Sequence, residues 1–275
     1  MKQVTTLLAF LALTALPALA FAGPCDDLSP AHKKVVDAVF ASEYPYDGCD
    51  ETFATCLKST PVHPLVTRLA DWMCQKAATG ADEATLKRSL ERRGLSMMRP
   101  GKTYEISQKN AAIAGCLKSP IEVTIYACAR CPYCSKLIPE IYKEATTGQL
   151  AGKVKLIFKP FPIKSHKYST EANQALQAAI DLNRGWEFLL AMYAKFDGFS
   201  LDRLTNLAIE AGLDKAAFAD MSAKKEVREH LVEAKKEGLR NGVEATPTFF
   251  INGRRFLGDL DSLTLVDCIL EEGMQ

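Results

Sequence analysis

Apolar and polar positions alternate with one period up to about residue 98 and with another from about residue 101. In the first part the period is helical. "SPAHKKVVDAVFASEY" offers Ser29 as an N-cap and Pro30 at the first helical position, then an apolar stripe of Val35, Val36, Val39 and Phe40. "PLVTRLADWMCQKA" places Leu65, Leu69, Trp72 and Met73 on one face. "ADEATLKRSLERRG" carries acids early and bases late, which suits the helix dipole, and Gly94 is the expected terminator. Between the first two helices runs "YDGCDETFATCLKSTPVHP", turn-rich and holding Cys49 and Cys56. The pattern predicts three short helices around a cysteine-bearing loop. Their core is small, so covalent staples would help it.

In the second part "KTYEIS" and "IEVTIYA" are strand-like, rich in β-branched and aromatic residues. Residues 132–147 read as a helix and "KVKLIFKPF" as a strand. Residues 168–240 read as helical throughout, broken at Gly185, around Gly198 and at Gly212. "TPTFFINGRRFLG" reads as a hairpin turning at Asn252-Gly253, and "DSLTLVDCILEE" as a closing helix. The predicted order, β-β-α-β-(helices)-β-β-α, is a small mixed sheet with an all-helical insertion.

The start of the chain changes how its cysteines are read. Lys2 gives a short positive head, an apolar run follows from Leu7 to about Leu19 with Pro17 near its end, and Ala20-Phe21-Ala22 places small residues where a signal peptidase reads. The run is too short to span a bilayer. Residues 1–22 are therefore expected to be a secretory signal, the remainder to be exported without stable membrane insertion once the signal is removed, and the location to be the periplasm or an otherwise exported space. Outside the cytosol disulfides form and persist. A net charge of +1 argues against a nucleic-acid partner or an acidic-polymer substrate.

Among nine cysteines, Cys128, Cys131 and Cys134 recur at three-residue intervals in "YACARCPYCSKLIPEI". Cys131 falls at a strand end, at or just before a helix N-terminus, where unpaired N–H groups and the dipole stabilise a thiolate. Cys134 lies one turn deeper on the same face, and Pro132 suits the first turn. The pattern predicts an exposed nucleophile and a buried resolving thiol. A structural disulfide or half of a zinc site are the alternatives, and no second close pair supplies zinc ligands. A ferredoxin-type cluster would need a cysteine near position 138, where Ile138 stands. Cys128 reads as a small buried residue, with pairing to Cys116 or Cys268, or modulation of the active pair, as alternatives.

These residues resemble the thioredoxin superfamily and, within it, the exported thiol–disulfide oxidoreductases of the DsbA type. The likeness rests on Cys131-Pro132-Tyr133-Cys134 at a strand-to-helix junction and on Pro139 within the following helix. It also rests on "EATPTFFINGRRF", similar to a cis-proline loop with Pro247 as the cis residue, and on the helical block placed between these parts. It covers about residues 101–275. The resemblance implies a thioredoxin-like fold, an enzyme exchanging protein disulfides, catalytic Cys131 and Cys134, and client contact at Thr246, Pro247 and Tyr133. It implies exported clients bearing thiols or disulfides, a membrane or periplasmic redox partner, and neither a bound cofactor nor a metal. Two positions depart from the familiar members. Ile125 stands where many carry a buried acid. Thr246 precedes the proline, as in the disulfide isomerases DsbC and DsbG, so the direction of exchange is left open. A binding module, acting as chaperone or assembly factor on the same frame, and a metal-handling thiol protein are the rival classes.

The expected layout is a small helical cysteine-containing domain at 23–98 and a thioredoxin-like domain at 99–275, with its helical insertion at about 168–240. Cys25, Cys49, Cys56 and Cys74 form an even set that suggests two structural disulfides. Spacing does not fix the connectivity; Cys49–Cys56 with Cys25–Cys74 is favoured, and zinc held by Cys49, Cys56, His63 and Cys74 is the rival. His166 follows a strand and reads as a structural histidine, with an approach to the active site as the alternative. Lys224, Lys225, Lys235 and Lys236 among Glu226, Glu229, Glu233 and Glu237 read as a solvated helix face.

Overall fold

The computed structural model describes residues 25–98 and 101–274, so the expected signal segment lies outside the described residues. Four helices come first: α1 (Pro30–Ser42), α2 (Phe53–Cys56), α3 (Pro64–Ala78) and α4 (Glu83–Met97). Ser29 caps α1 by accepting from the His32 N–H, with Pro30 opening the helix. The short α2 lies in the loop where no helix was expected. Gly94 does not end α4, which runs on to Met97, because Gly94 is buried where a side chain would press on Tyr46. The apolar stripes meet in a cluster of their own around Val39, Phe53, Leu69, Trp72 and Leu86. Disulfides join Cys25 to Cys74 and Cys49 to Cys56. With all four sulfurs bonded in pairs, the zinc reading with His63 is not supported.

The rest of the chain builds a five-stranded sheet in the order β1-β3-β2-β4-β5. Its strands are β1 (Ala112–Gly115), β2 (Glu122–Ala127), β3 (Lys155–Pro160), β4 (Thr248–Ile251) and β5 (Arg254–Arg255). β2 and β3 are parallel, and β1 and β4 pair antiparallel with β3 and β2. The first strand is displaced from its expected place. "KTYEIS" makes only a single bridge, Thr103 to Arg254, and Tyr104 instead packs edge-on against Phe250 at 5.4 Å. The hairpin turns at Asn252-Gly253, both at positive φ (49° and 74°), and a side chain on Gly253 would strike the Tyr104 carbonyl.

Helix α5 (Pro132–Thr146) follows β2 and contains Pro139. Between β3 and β4 come α6 (Ser169–Asp181), α7 (Gly185–Ala194), a 3₁₀ turn at Leu201–Arg203, α8 (Leu204–Glu210), α9 (Lys215–Ala223) and α10 (Lys225–Arg240). Gly185 opens α7 rather than breaking the chain, since the turn falls on the preceding residues, where Asn183 takes a positive φ. Helix α10 has the expected solvated face, but two of the residues assigned to it turn inward. Glu237 is buried, pairing with Lys159 and accepting from Tyr126, while Lys235 lies over the Phe161 ring. Helix α11 (Ser262–Glu272) closes the fold.

The first four helices dock on α11 and the loop before it through buried charge. Arg93 is fully buried, ion-paired with Asp267 at 2.6 Å and Glu271 at 2.7 Å, and stacked on Trp72. Tyr46 donates to the same Glu271 carboxylate.

Candidate functional site

Strand β2 carries the chain to Cys128, and Cys131 is the N-cap of α5. The Cys131 sulfur accepts the backbone N–H of Cys134 at 3.5 Å, and its carbonyl accepts that of Ser135 at 3.0 Å. Strand β4 pairs with β2 through Tyr126 and Thr248, which brings the segment before it beside α5. The Thr246–Pro247 peptide there is cis, and the Cys131 thiol donates to the Thr246 carbonyl at 3.3 Å. The Thr246 hydroxyl is buried without a hydrogen-bond partner and faces both sulfurs.

The two thiols are free and differ in electrostatics. Hydrogen bonding from the Cys134 thiol, opposed by burial and aided by the Cys134 N–H and Thr246, holds Cys131 down to about 5. Burial, reinforced by the neighbouring Cys131 sulfur, pushes Cys134 well above the usual thiol range. One group is set to ionise and its neighbour to stay protonated. The expectation of an open nucleophile needs correction: Cys131 is only 1% exposed, because its thiol turns in beneath Thr246. Tyr133, by contrast, is 75% exposed. Beside the pair opens a cavity of about 600 Å³, lined by Tyr133, Leu137, Thr246, Pro247, Leu260 and Asp261.

Cys128 is fully buried in a polar setting that its sequence neighbours do not announce. Its sulfur meets the Ser169 hydroxyl at 3.2 Å, the Asn173 amide at 3.4 Å and His166 Nδ1 at 3.5 Å. His166 thus comes to the thiol next to the pair. Tyr193, also buried, donates to the Cys128 carbonyl at 3.1 Å. Asn173 accepts the Ala129 N–H and so fixes the turn into α5. Sequence reasoning missed Asn173 and Tyr193, which reach the site from α6 and α7 and carry no local signal. Cys116 and Cys268 are free and bonded neither to Cys128 nor to each other. Ile125 is buried in the sheet. Among the described residues no three His, Cys, Asp or Glu side chains converge as a metal-holding group.

A family model described as Thioredoxin matches residues 107–270, more than half of the chain. BdbD from Bacillus subtilis, in a structure described as oxidised, superposes with a TM-score of 0.54 at 18% identity, covering 64% of this chain and 100% of that one. The thiol-disulfide exchange protein alpha-DsbA2 from Wolbachia pipientis superposes with a TM-score of 0.53 at 20% identity, covering 60% and 88%. Among curated relatives, the Na(+)/H(+) antiporter NhaA 1 of Mycolicibacterium gilvum is 24% identical over 177 residues, 63% of this chain. That match spans 27% of the antiporter's length, so the chain corresponds to little more than a quarter of it. No helix among the described residues is long and apolar enough to cross a membrane. The N-terminal α1–α4 lie before the matched stretch. With a β2–α5 junction, helices inserted between β3 and β4 and a matching family model, the chain belongs to the thioredoxin family and has its DsbA-like fold.

Proposed function

We propose that this protein is an exported thiol–disulfide oxidoreductase that exchanges disulfides with client proteins through Cys131 and Cys134. The observation that carries the reading is the pairing of an ionisable Cys131 at the α5 N-terminus with a shielded, protonated Cys134 one turn away. In the reducing sense, the Cys131 thiolate attacks a client disulfide, forms a mixed disulfide and releases one client thiolate. Cys134 gives up its proton and attacks the Cys131 sulfur, which releases the second client thiolate and leaves a Cys131–Cys134 disulfide. Two electrons pass to the client, whose thiolates take up protons. The oxidising sense runs the same bonds backwards, and a thiol–disulfide carrier or membrane oxidase then restores the disulfide.

Tyr133, Thr246 and Pro247 are the client contacts in this reading. An extended client segment lies beside the Thr246 backbone as an added strand, which brings its sulfur to Cys131. Ionisation of Cys131 removes its hydrogen bond to the Thr246 carbonyl and frees that acceptor. The low Cys131 value favours the reduced protein at neutral pH, which is the poise of a disulfide donor. Export is supported by the N-terminal pattern and by the two disulfides of the first helices.

Equilibration with a glutathione redox buffer tests the reading. A donor should show a potential well above thioredoxin's, about −270 mV. A value at or below that overturns the donor direction. Cys131→Ser should abolish exchange, and Cys134→Ser should accumulate mixed disulfides with clients. If neither variant changes exchange, the pair is not the centre. Recovery of the mature protein from the cytosolic fraction alone would remove export.

A further inference from the structure

The loop between β5 and α11 forms one wall of the cavity beside the thiol pair, and helices α3 and α4 hold it. At its start, Ser96 Oγ accepts the Leu257 N–H at 2.7 Å and Arg92 donates to the Leu257 carbonyl at 3.1 Å. In its middle, Asp259 pairs with Lys76 at 2.8 Å and accepts from Ser89. At its end, Asp261 pairs with the same Lys76 at 3.0 Å and caps α11. Lys76 is itself buried, and Trp72 beside it donates to Thr264 in the first turn of α11. Leu260 stands between the two tethered carboxylates, 47% exposed, and lines the cavity with Tyr133, Leu137 and Pro247.

Taking the exchange reading of Cys131 and Cys134 as its basis, we propose that the N-terminal helices set the wall of the client groove through Lys76, which positions Leu260 to receive a bulky apolar side chain next to the client's cysteine. The groove begins at Thr246 and Pro247, so a side chain adjacent to a cysteine seated at Cys131 enters it directly. Its volume of about 600 Å³ lies within the about 300–1,000 Å³ usual for ligand pockets. Most of its exposed wall is apolar surface, with Lys136, Glu140 and Ser262 also on the lining, and such a wall discriminates by contact area. Without the Lys76 ammonium, Asp259 and Asp261 are two like charges flanking Leu260; Asp259 keeps Ser89 and Arg92, and Asp261 keeps its cap to Thr264. The tie that joins the two carboxylates is then gone, and Leu260 between them is held less tightly. Helices outside the family-matched stretch thereby act on selectivity without touching the sulfurs.

The test uses the full chain in reduced form and follows Cys131 attack on two mixed disulfides of glutathione with a short peptide. One peptide has Leu beside its cysteine and the other Ser. The native protein should prefer the Leu peptide by about tenfold or more. Lys76→Met should bring the two rates within about twofold. The loss should fall on the half-saturating peptide concentration, with the limiting rate kept and the pH midpoint of Cys131 alkylation unmoved. Leu260→Ser, at an exposed position, should erase the same preference and keeps the test open if Lys76→Met does not fold. Equal rates for both peptides in the native protein, or a preference that survives Leu260→Ser, overturn the groove assignment. A preference lost in Leu260→Ser but kept in folded Lys76→Met overturns the role of Lys76. Glutathione disulfide separates the two levels. If the native protein does not react with it, the exchange reading falls and this inference with it; if it reacts while the peptides are not distinguished, only this inference falls.

Discussion

The Cys131 thiol donates to the Thr246 carbonyl across 3.3 Å, although the two residues stand 115 positions apart. Sheet pairing between β2 and β4 makes the meeting. It also places the unpartnered Thr246 hydroxyl where a newly formed thiolate needs a donor.

Thr246→Val removes that hydroxyl at nearly constant volume. A hydrogen bond to a charged group is worth about 1.5–3 kcal/mol, so the Cys131 midpoint should rise by about one pH unit or more. Alkylation rate against pH measures it. An unmoved midpoint would show that the hydroxyl does not serve the thiolate.

The pH dependence of stability carries a signed signature. Cys131 is depressed to about 5 in the folded, reduced protein and returns to the ordinary thiol range on unfolding. Its contribution is complete above the unfolded value and disappears as pH falls through about 5. Cys134 is raised, so its contribution opposes folding only above the ordinary thiol range. The oxidised protein has neither. Denaturant midpoints of the two forms should therefore diverge in favour of the reduced protein from pH 5 to pH 8, relative to their difference at pH 4. A pH-independent difference would contradict the low Cys131 value.

Reagents should distinguish the cysteines in order. At mildly acidic pH, Cys131 of the reduced protein should be labelled first, with buried Cys134, Cys128 and Cys268 lagging. Under mild reductant that opens an oxidised active pair, the bonds Cys25–Cys74 and Cys49–Cys56 should stay closed, since Cys74 and Cys56 are sealed in the helical core. Peptide mapping by mass spectrometry reads both. Early labelling of Cys49 or Cys56 would make the first helices redox-active.

Arg93 supplies the strongest stability prediction. Glu271→Ala leaves its guanidinium buried with Asp267 as the remaining acidic partner and leaves Tyr46 without its acceptor. Breaking a buried pair from one side costs about 3–5 kcal/mol, and a loss of that order is expected in urea. The Cys131 alkylation profile should not change. A loss under about 1 kcal/mol would mean that the docking of α4 on α11 rests on apolar contact alone.

Much of the fold was legible because its signals are local. Asn252-Gly253 names its own turn, Ser29-Pro30 its own helix start, and the spacing of Cys131 and Cys134 puts both on one helix turn. What escaped depends on partners far away in sequence. Tyr104 and Ile106 have the alternation of a strand, yet they pack their rings and branches on the sheet without joining it. The true edge strand, Ala112–Gly115, is short and made of small residues, with little to mark it. Gly94 looks like a helix end until Tyr46 is seen against it. The exposure of Cys131 was misjudged for the same reason, since what covers it is Thr246. Lys76 gave no sign that Asp259 and Asp261 await it.

The docking of α3 and α4 on residues 259–272 has a consequence for assembly. Lys76 and Arg93 leave the ribosome long before Asp259, Asp261, Asp267 and Glu271 exist. During that interval two cations that end up buried have only water, or a holding chaperone, to solvate them. The first helices are made early and completed late, and a chain cut anywhere between residues 98 and 259 would display a positively charged, unfinished face.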